Sequence, residues 1–125
     1  MTKTTLLVLS TFFGFTQLAV GAPIGDVDKG KMIYDTRCIA CHSIDDNRVG
    51  PKHRGLLGSR AGKVAGYDYS PALKKSKIVW NEKNLDQWLE NPSKLVPGQK
   101  MPYTVPEAQD RADVIAYLKT LTKAP

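Results

Sequence analysis

The chain has 125 residues, 42% of them hydrophobic, a size that suits one small domain. Its formal charge is +6, from 18 basic and 12 acidic side chains. The basic residues are scattered mostly singly through loops and helix ends, with no dense Lys/Arg run and no interleaved aromatics, which argues against a nucleic-acid surface.

Residues 1–21 read as a secretory signal. Lys3 supplies the positive start, residues 6–20 the apolar run, and Ala19-Val20-Gly21 the small residues at the −3 and −1 positions. A cut after Ala22 would leave Pro23 first, which peptidases disfavour. As a membrane anchor the run is short, and it carries Ser10, Thr11, Gly14, Thr16 and Gln17. The expected organisation is a cleaved leader over 1–21 and one domain over 22–125.

Residues 26–37 predict a helix, with Asp26 and Asp28 at the end where the helix dipole favours anions. Val27, Gly30 and Tyr34 fall on one face, at i, i+3 and i+7. Glycine inside a helix costs about 1 kcal/mol relative to alanine. Gly30 is either tolerated or marks a close crossing, and this segment alone does not decide between them.

Next comes Cys38-Ile39-Ala40-Cys41-His42, the pattern of covalent c-type haem attachment. The spacing follows from the chemistry: each thiol adds to one porphyrin vinyl group, one helical turn presents both sulfurs to one ring edge, and His42 then offers an imidazole nitrogen to the iron. A zinc ribbon needs a second ligand pair, and Cys38 and Cys41 are the only cysteines. A thioredoxin-like pair needs a βαβ context that the flanks do not supply, and a simple disulfide leaves His42 without a purpose.

Residues 43–69 form a long stretch rich in glycine and polar residues, without sustained periodicity. A small domain rarely carries such a segment without a reason. A large apolar cofactor is one, because the loop can wrap and pack on a porphyrin. Gly50-Pro51 is a rigid turn. His53 lies close in sequence to the proximal side and reads as a partly buried or surface histidine rather than a second ligand.

Ser70-Pro71 opens a short helix, with serine as N-cap and proline in the first turn. Asn81 caps a second, over 82–90, whose Leu85, Trp88 and Leu89 make an apolar stripe and which Asn91-Pro92 ends. Met101 follows in the stiff loop Pro97-Gly98-Gln99-Lys100-Met101-Pro102. It projects from a polar, ordered loop and not from an apolar stripe. Met32, the other candidate after the leader, precedes the haem motif, so Met101 is assigned as the distal ligand. The last helix is expected over 104–122, with Val114, Tyr117, Leu118 and Leu121 as its buried stripe. No alternating strand pattern extends beyond a few residues, and a mostly α domain is expected.

Taken together these landmarks resemble class I cytochrome c, in particular the bacterial cytochrome c2-like relatives of mitochondrial cytochrome c. The resemblance covers nearly all of the chain after the leader. It rests on Gly25-Asp26-Val27-Asp28-Lys29-Gly30, the haem motif, Gly50-Pro51, Gly66-Tyr67-Asp68-Tyr69-Ser70, Val79-Trp80, Trp88-Leu89-Glu90-Asn91-Pro92, Pro97-Gly98-Gln99-Lys100-Met101 and Arg111-Ala112-Asp113-Val114-Ile115-Ala116-Tyr117-Leu118. It implies four to five helices around one haem c held through Cys38 and Cys41, with long haem-wrapping loops. His42 and Met101 would ligate the iron, and the Pro51 carbonyl would accept the other ring N–H of His42. Tyr69 and Trp80 match residues that hydrogen-bond a haem propionate, Trp88 an aromatic of the distal pocket, and Tyr103 the aromatic beside the haem edge. Gly30 and Tyr34 match the contact of the first helix with Val114 and Tyr117. There are departures: Ser59 stands where relatives commonly have a propionate-binding arginine, with Arg60 next to it. Gln99 stands where a threonine usually helps hold a propionate. His53 stands where leucine is frequent, and the loop after His42 is a few residues shorter than in mitochondrial forms.

The implied function is a soluble periplasmic one-electron carrier and not an enzyme. Iron cycles between Fe(II) and Fe(III) with both axial positions filled, so little moves and no site is open to oxygen or peroxide. The basic charge then reads as a docking face. Arg37, Lys94, Lys100 and Lys52 would steer acidic redox proteins, such as a bc1-type complex, an oxidase, a peroxidase or a reaction centre, into small salt-sensitive contacts. The expected protein is a monomer, with no nucleic-acid partner and at most peripheral membrane contact. The rivals are a small haem peroxidase in which Met101 is not bound, and a sensing haem protein with an exchangeable ligand.

Overall fold

The computed structural model describes residues 21–122; the expected leader, residues 1–21, lies outside them except for Gly21. The described part is mostly α, with five helices and a single isolated bridge between Arg60 and Val79. The helices are α1 (Val27–Ile33), α2 (Pro71–Lys75), α3 (Glu82–Glu90), α4 (Pro92–Leu95) and α5 (Ala108–Thr120). None of them is long and apolar enough to cross a membrane.

The side chain of Asp26 caps α1 by accepting from the amides of Asp28 and Lys29. The helix expected over 26–37 changes character at Tyr34, where residues Tyr34–Cys38 widen into a π-helical turn. Its closing bond runs from the Ile39 amide to the Tyr34 carbonyl, five residues back, at 3.3 Å. Thr36 Oγ1 donates to the carbonyls of Met32 and Ile33 within the same stretch. Such widened turns recur at functional sites, and this one delivers Cys38.

The frame of the molecule is the crossing of α1 and α5. Gly30 lies directly on α5: a Cβ there would strike the Asp113 carbonyl, and the next obstacle is the Tyr117 side chain. Beside it Tyr34, 1% exposed, packs its ring 5.4 Å from that of Tyr117. Asp113, buried on α5, accepts from the Asp26 amide at 2.8 Å and from Gln109 Nε2 at 2.8 Å, so the two helix starts are tied by a polar bond as well as by apolar contact. Burying each large apolar side chain at this crossing is worth about 1.5–3 kcal/mol.

Ser70 caps α2, and Asn81 and Asn84 cap α3 reciprocally. Leu85, Trp88 and Leu89 are buried as their spacing predicts. Asn91 and Pro92 do end α3, but they also start α4, which the sequence reading did not anticipate: the Asn91 side chain accepts from the Lys94 amide, and Pro92 occupies the first turn. The last helix begins four residues later than expected. Val105 is drawn away by donating its amide to the Leu89 carbonyl at 2.7 Å, and Arg111 Nη1 takes the carbonyls of Val105 and Pro106. The stretch ahead of α5 is thus tied both to Leu89 and to Arg111. The stripe Val114, Tyr117, Leu118 and Leu121 is buried, with Ile115 beside it.

Candidate haem site

The attachment segment leaves the π-helical turn as a tight coil, in which the amides of Cys41 and His42 both donate to the Cys38 carbonyl, at 3.1 and 2.9 Å. Cys38 and Cys41 are free thiols, the first partly buried and the second exposed. Burial pushes the Cys38 thiol up to about 11, against a downward pull from Arg37.

His42 carries the most informative geometry. Its Nδ1 lies 2.7 Å from the Pro51 carbonyl oxygen. A carbonyl only accepts, so Nδ1 bears the hydrogen and the neutral ring keeps its lone pair on Nε2. Burial lowers the imidazole pKa, while the Pro51 bond opposes that shift; the net effect favours the uncharged ring that a metal requires. Gly50 closes one side, because a Cβ there would collide with the His42 ring. His53 closes another: its ring stacks on His42 at 4.1 Å with an interplanar angle of 23°, and its Nδ1 lies 3.1 Å from the Tyr34 hydroxyl. Burial first, and His42 second, bring His53 down to about 3, so it is a neutral neighbour. The sequence left His53 as a background residue. Its signal was position alone, two residues beyond Pro51.

The loop over 43–69 is tied at several points. Gly50 donates to the Cys41 carbonyl at 2.8 Å and His53 to that of Ser43 at 3.0 Å, while Asn47 Nδ2 reaches Ala65 at 2.9 Å and the Tyr67 hydroxyl reaches the Val49 carbonyl at 2.6 Å. Backbone groups that a helix would satisfy are met here by these cross-loop bonds.

Tyr69, Trp80 and Trp88 belong to one buried cluster, and Cys38 and Met101 pack against its edge. Burial raises the Tyr69 phenol, and a backbone bond with Val64 opposes the shift. The indoles of Trp80 and Trp88 meet edge to face at 5.4 Å, so the residues matched to a propionate contact and to the distal pocket touch one another. Trp80 is also fastened through its backbone, donating to the Ser59 carbonyl at 2.9 Å and accepting from Gly58 at 2.8 Å. Ser59 spends its hydroxyl on the Leu56 carbonyl at 2.6 Å, and Arg60 is exposed.

Sequence reasoning missed two polar side chains. Arg111, 6% exposed, pairs with Asp86 at 2.7 Å and binds the backbone ahead of α5, joining α3 to that helix. The Gln99 amide binds the backbone of Met101. Arg37, expected on the docking face, is paired with Asp110 at 2.8 Å, which reduces what it offers a partner.

This donor set fits a covalently held haem: two unpaired thiols one turn apart, a neutral imidazole with Nε2 uncommitted, and a thioether in a fixed loop against the same apolar cluster. Comparison with known proteins agrees. The family model described as Cytochrome c matches residues 27–122. Cytochrome c of Gibberella zeae is 45% identical over 103 residues, 79% of this chain and 97% of that one. Cytochrome c of Tetrahymena pyriformis is 46% identical over 104 residues, 82% of this chain and 94% of that one. Among solved structures, cytochrome cH from Methylobacterium extorquens superposes with a TM-score of 0.74 at 43% identity, over 77% of this chain and 99% of that one. The chain belongs to the cytochrome c family, haem electron carriers rather than enzymes, and it presents Cys38 and Cys41 for the covalent haem c of that family.

Proposed function

We propose that the protein is a soluble periplasmic carrier, exported by residues 1–21, with His42 and Met101 as the axial ligands of its haem iron and acidic redox proteins as its partners. The observation that carries this reading is the 2.7 Å contact of His42 Nδ1 with the Pro51 carbonyl. It orients the ring, fixes the tautomer and raises the basicity of Nε2. The haem supplies a one-electron Fe(II)/Fe(III) couple.

The chain's own side chains do the rest. Cys38 and Cys41 hold the group covalently, so it cannot leave between partners. Met101 would hold the iron through a neutral soft sulfur, which would favour a high potential and leave no place for small ligands. Tyr69, Trp80 and Trp88 supply an apolar wall that excludes water, and Tyr69 and Trp80 are the assigned propionate contacts. Lys94 and Lys100 precede Met101 in the same stretch and Lys52 follows Pro51, so positive charge lies close in sequence to the proposed ligands and would steer acidic surfaces toward them. The partners would be a bc1-type complex with an oxidase, peroxidase or reaction centre, met by a monomer.

Absorption spectra of both oxidation states, with and without carbon monoxide, test the ligation. A low-spin spectrum indifferent to carbon monoxide is expected. Carbon monoxide binding by the reduced wild-type protein would show an open axial position and favour a peroxidase or a sensor.

A further inference from the structure

Among the described residues, none of 100–104 makes a backbone–backbone hydrogen bond; the flanking ones are Gln99 to Val96 at 3.2 Å and Val105 to Leu89 at 2.7 Å. Across this gap the backbone of Met101 is bound by one side chain. Gln99 Oε1 accepts the Met101 amide, Nε2 donates to the Met101 carbonyl at 2.9 Å, and the same Nε2 donates to Ser93 Oγ on α4 at 3.0 Å. The amide orientation is dictated: turned over, it would set N–H against N–H and oxygen against oxygen. Both Nε2 hydrogens are then committed. Gln99 has no donor left for a carboxylate, so it does not replace the threonine that usually holds a propionate.

We infer that Gln99 is a positioning residue: its amide, braced on Ser93, holds the Met101 backbone so that the sulfur stays on the iron. The inference rests on the reading of Met101 as axial ligand. It assigns to one side chain the resistance of the ferric protein to replacement of that ligand by an added nitrogen base. In that exchange the bond to the Met101 sulfur would break, the lone pair of neutral imidazole would form the new bond, and no electron would move. The charged groups around the loop are Lys94 on α4, Lys100 beside Met101, and Asp68, whose carboxyl is held low by Lys74 first and by Lys100 after it. None of them is hydrogen-bonded to the Gln99 amide.

The test is an imidazole titration of the ferric holoprotein at one fixed near-neutral pH, following the thioether-to-iron charge-transfer band. Gln99→Leu keeps most of the volume, removes the bonds and brings no second thioether to the site. Losing a net hydrogen bond or two should lower the imidazole concentration at the midpoint about tenfold. Ser93→Ala leaves both Met101 bonds and should shift the midpoint less. Gln99→Glu keeps one acceptor but opposes the Met101 carbonyl, and should fall between Ser93→Ala and Gln99→Leu. If Gln99→Leu does not fold, the order wild type, Ser93→Ala, Gln99→Glu decides. A midpoint for Gln99→Leu (or, failing that, Gln99→Glu) equal to that of wild type would overturn the positioning role and leave Met101 as ligand. A merely structural role would lower the melting temperature of both oxidation states and leave the midpoint in place. Absence of the band from the wild-type protein would instead remove Met101 itself.

Discussion

On one side of the attachment motif, His42 is held by matter in contact with its ring: Gly50 leaves no space, Pro51 takes the Nδ1 hydrogen, and His53 stacks at 4.1 Å. On the other side, Met101 is held by its backbone, through an amide two residues earlier. His42, the proposed proximal ligand, is over-determined, since sterics, a hydrogen bond and two adjacent cysteine attachment points all enforce one pose. Met101, the proposed distal ligand, depends on polar bonds each worth about 1 kcal/mol net. The two proposed ligands are therefore held with different tolerance, and exchange is expected at Met101.

The strongest way to break this comparison is Gly50→Ala. Its Cβ cannot coexist with the His42 ring, and overpacking a wall that cannot yield should cost about 3 kcal/mol. Denaturant unfolding of the holoprotein measures it; a midpoint like that of wild type would mean that the proximal wall is loose. Met101→Ala should cost less, about 2 kcal/mol, because a partly buried side chain at the edge of the cluster is lost and the proximal anchors remain. Its signature is chemical: a high-spin ferric form, carbon monoxide binding when reduced, and a weak peroxidase activity. An unchanged low-spin spectrum would end the ligand role of Met101.

Tyr67→Phe sharpens the proximal side. It removes the 2.6 Å bond to the Val49 carbonyl next to Gly50 and should cost about 1 kcal/mol in thermal unfolding, with the visible spectrum unchanged. A spectral change would show that the loop acts on the ligand and not only on stability. The smallest effect concerns the surface. Lys100→Glu should slow electron transfer to an acidic partner about 3-fold at low salt, the difference vanishing as salt rises. Lys119→Glu should do less, because Lys119 on α5 is already paired with Glu82. Equal effects would remove the docking face from the Met101 side.

Much of this architecture was legible in the sequence, for identifiable reasons. Short-range rules cover the caps at Ser70 and Asn81 and the stripes of α3 and α5, and each stands where those rules put it. They did not cover the start of α5. Propensity allows helix from Thr104, but long-range bonds hold that stretch elsewhere: the Val105 amide goes to Leu89, and Arg111 binds the Val105 and Pro106 carbonyls. Nor did they reveal α4, because Asn91-Pro92 satisfies the rule for stopping one helix and for starting another at once.

The sequence by itself determined the cofactor chemistry, because two thiols and an imidazole at that spacing are a local, covalent specification that needs no long-range contact. Only the tertiary structure decided which groups surround those atoms. Gly30 became a required gap once α5 lay across it. His53 became a wall of the proximal pocket because the loop returns past Ser43, a contact no spacing encodes. Gln99 acquired its role because a side-chain amide in the turn after α4 meets the backbone of Met101. Periodicity and capping depend on neighbours within about four residues; packing and side-chain-to-backbone bonds depend on where the chain returns, and that is settled only when the whole fold closes.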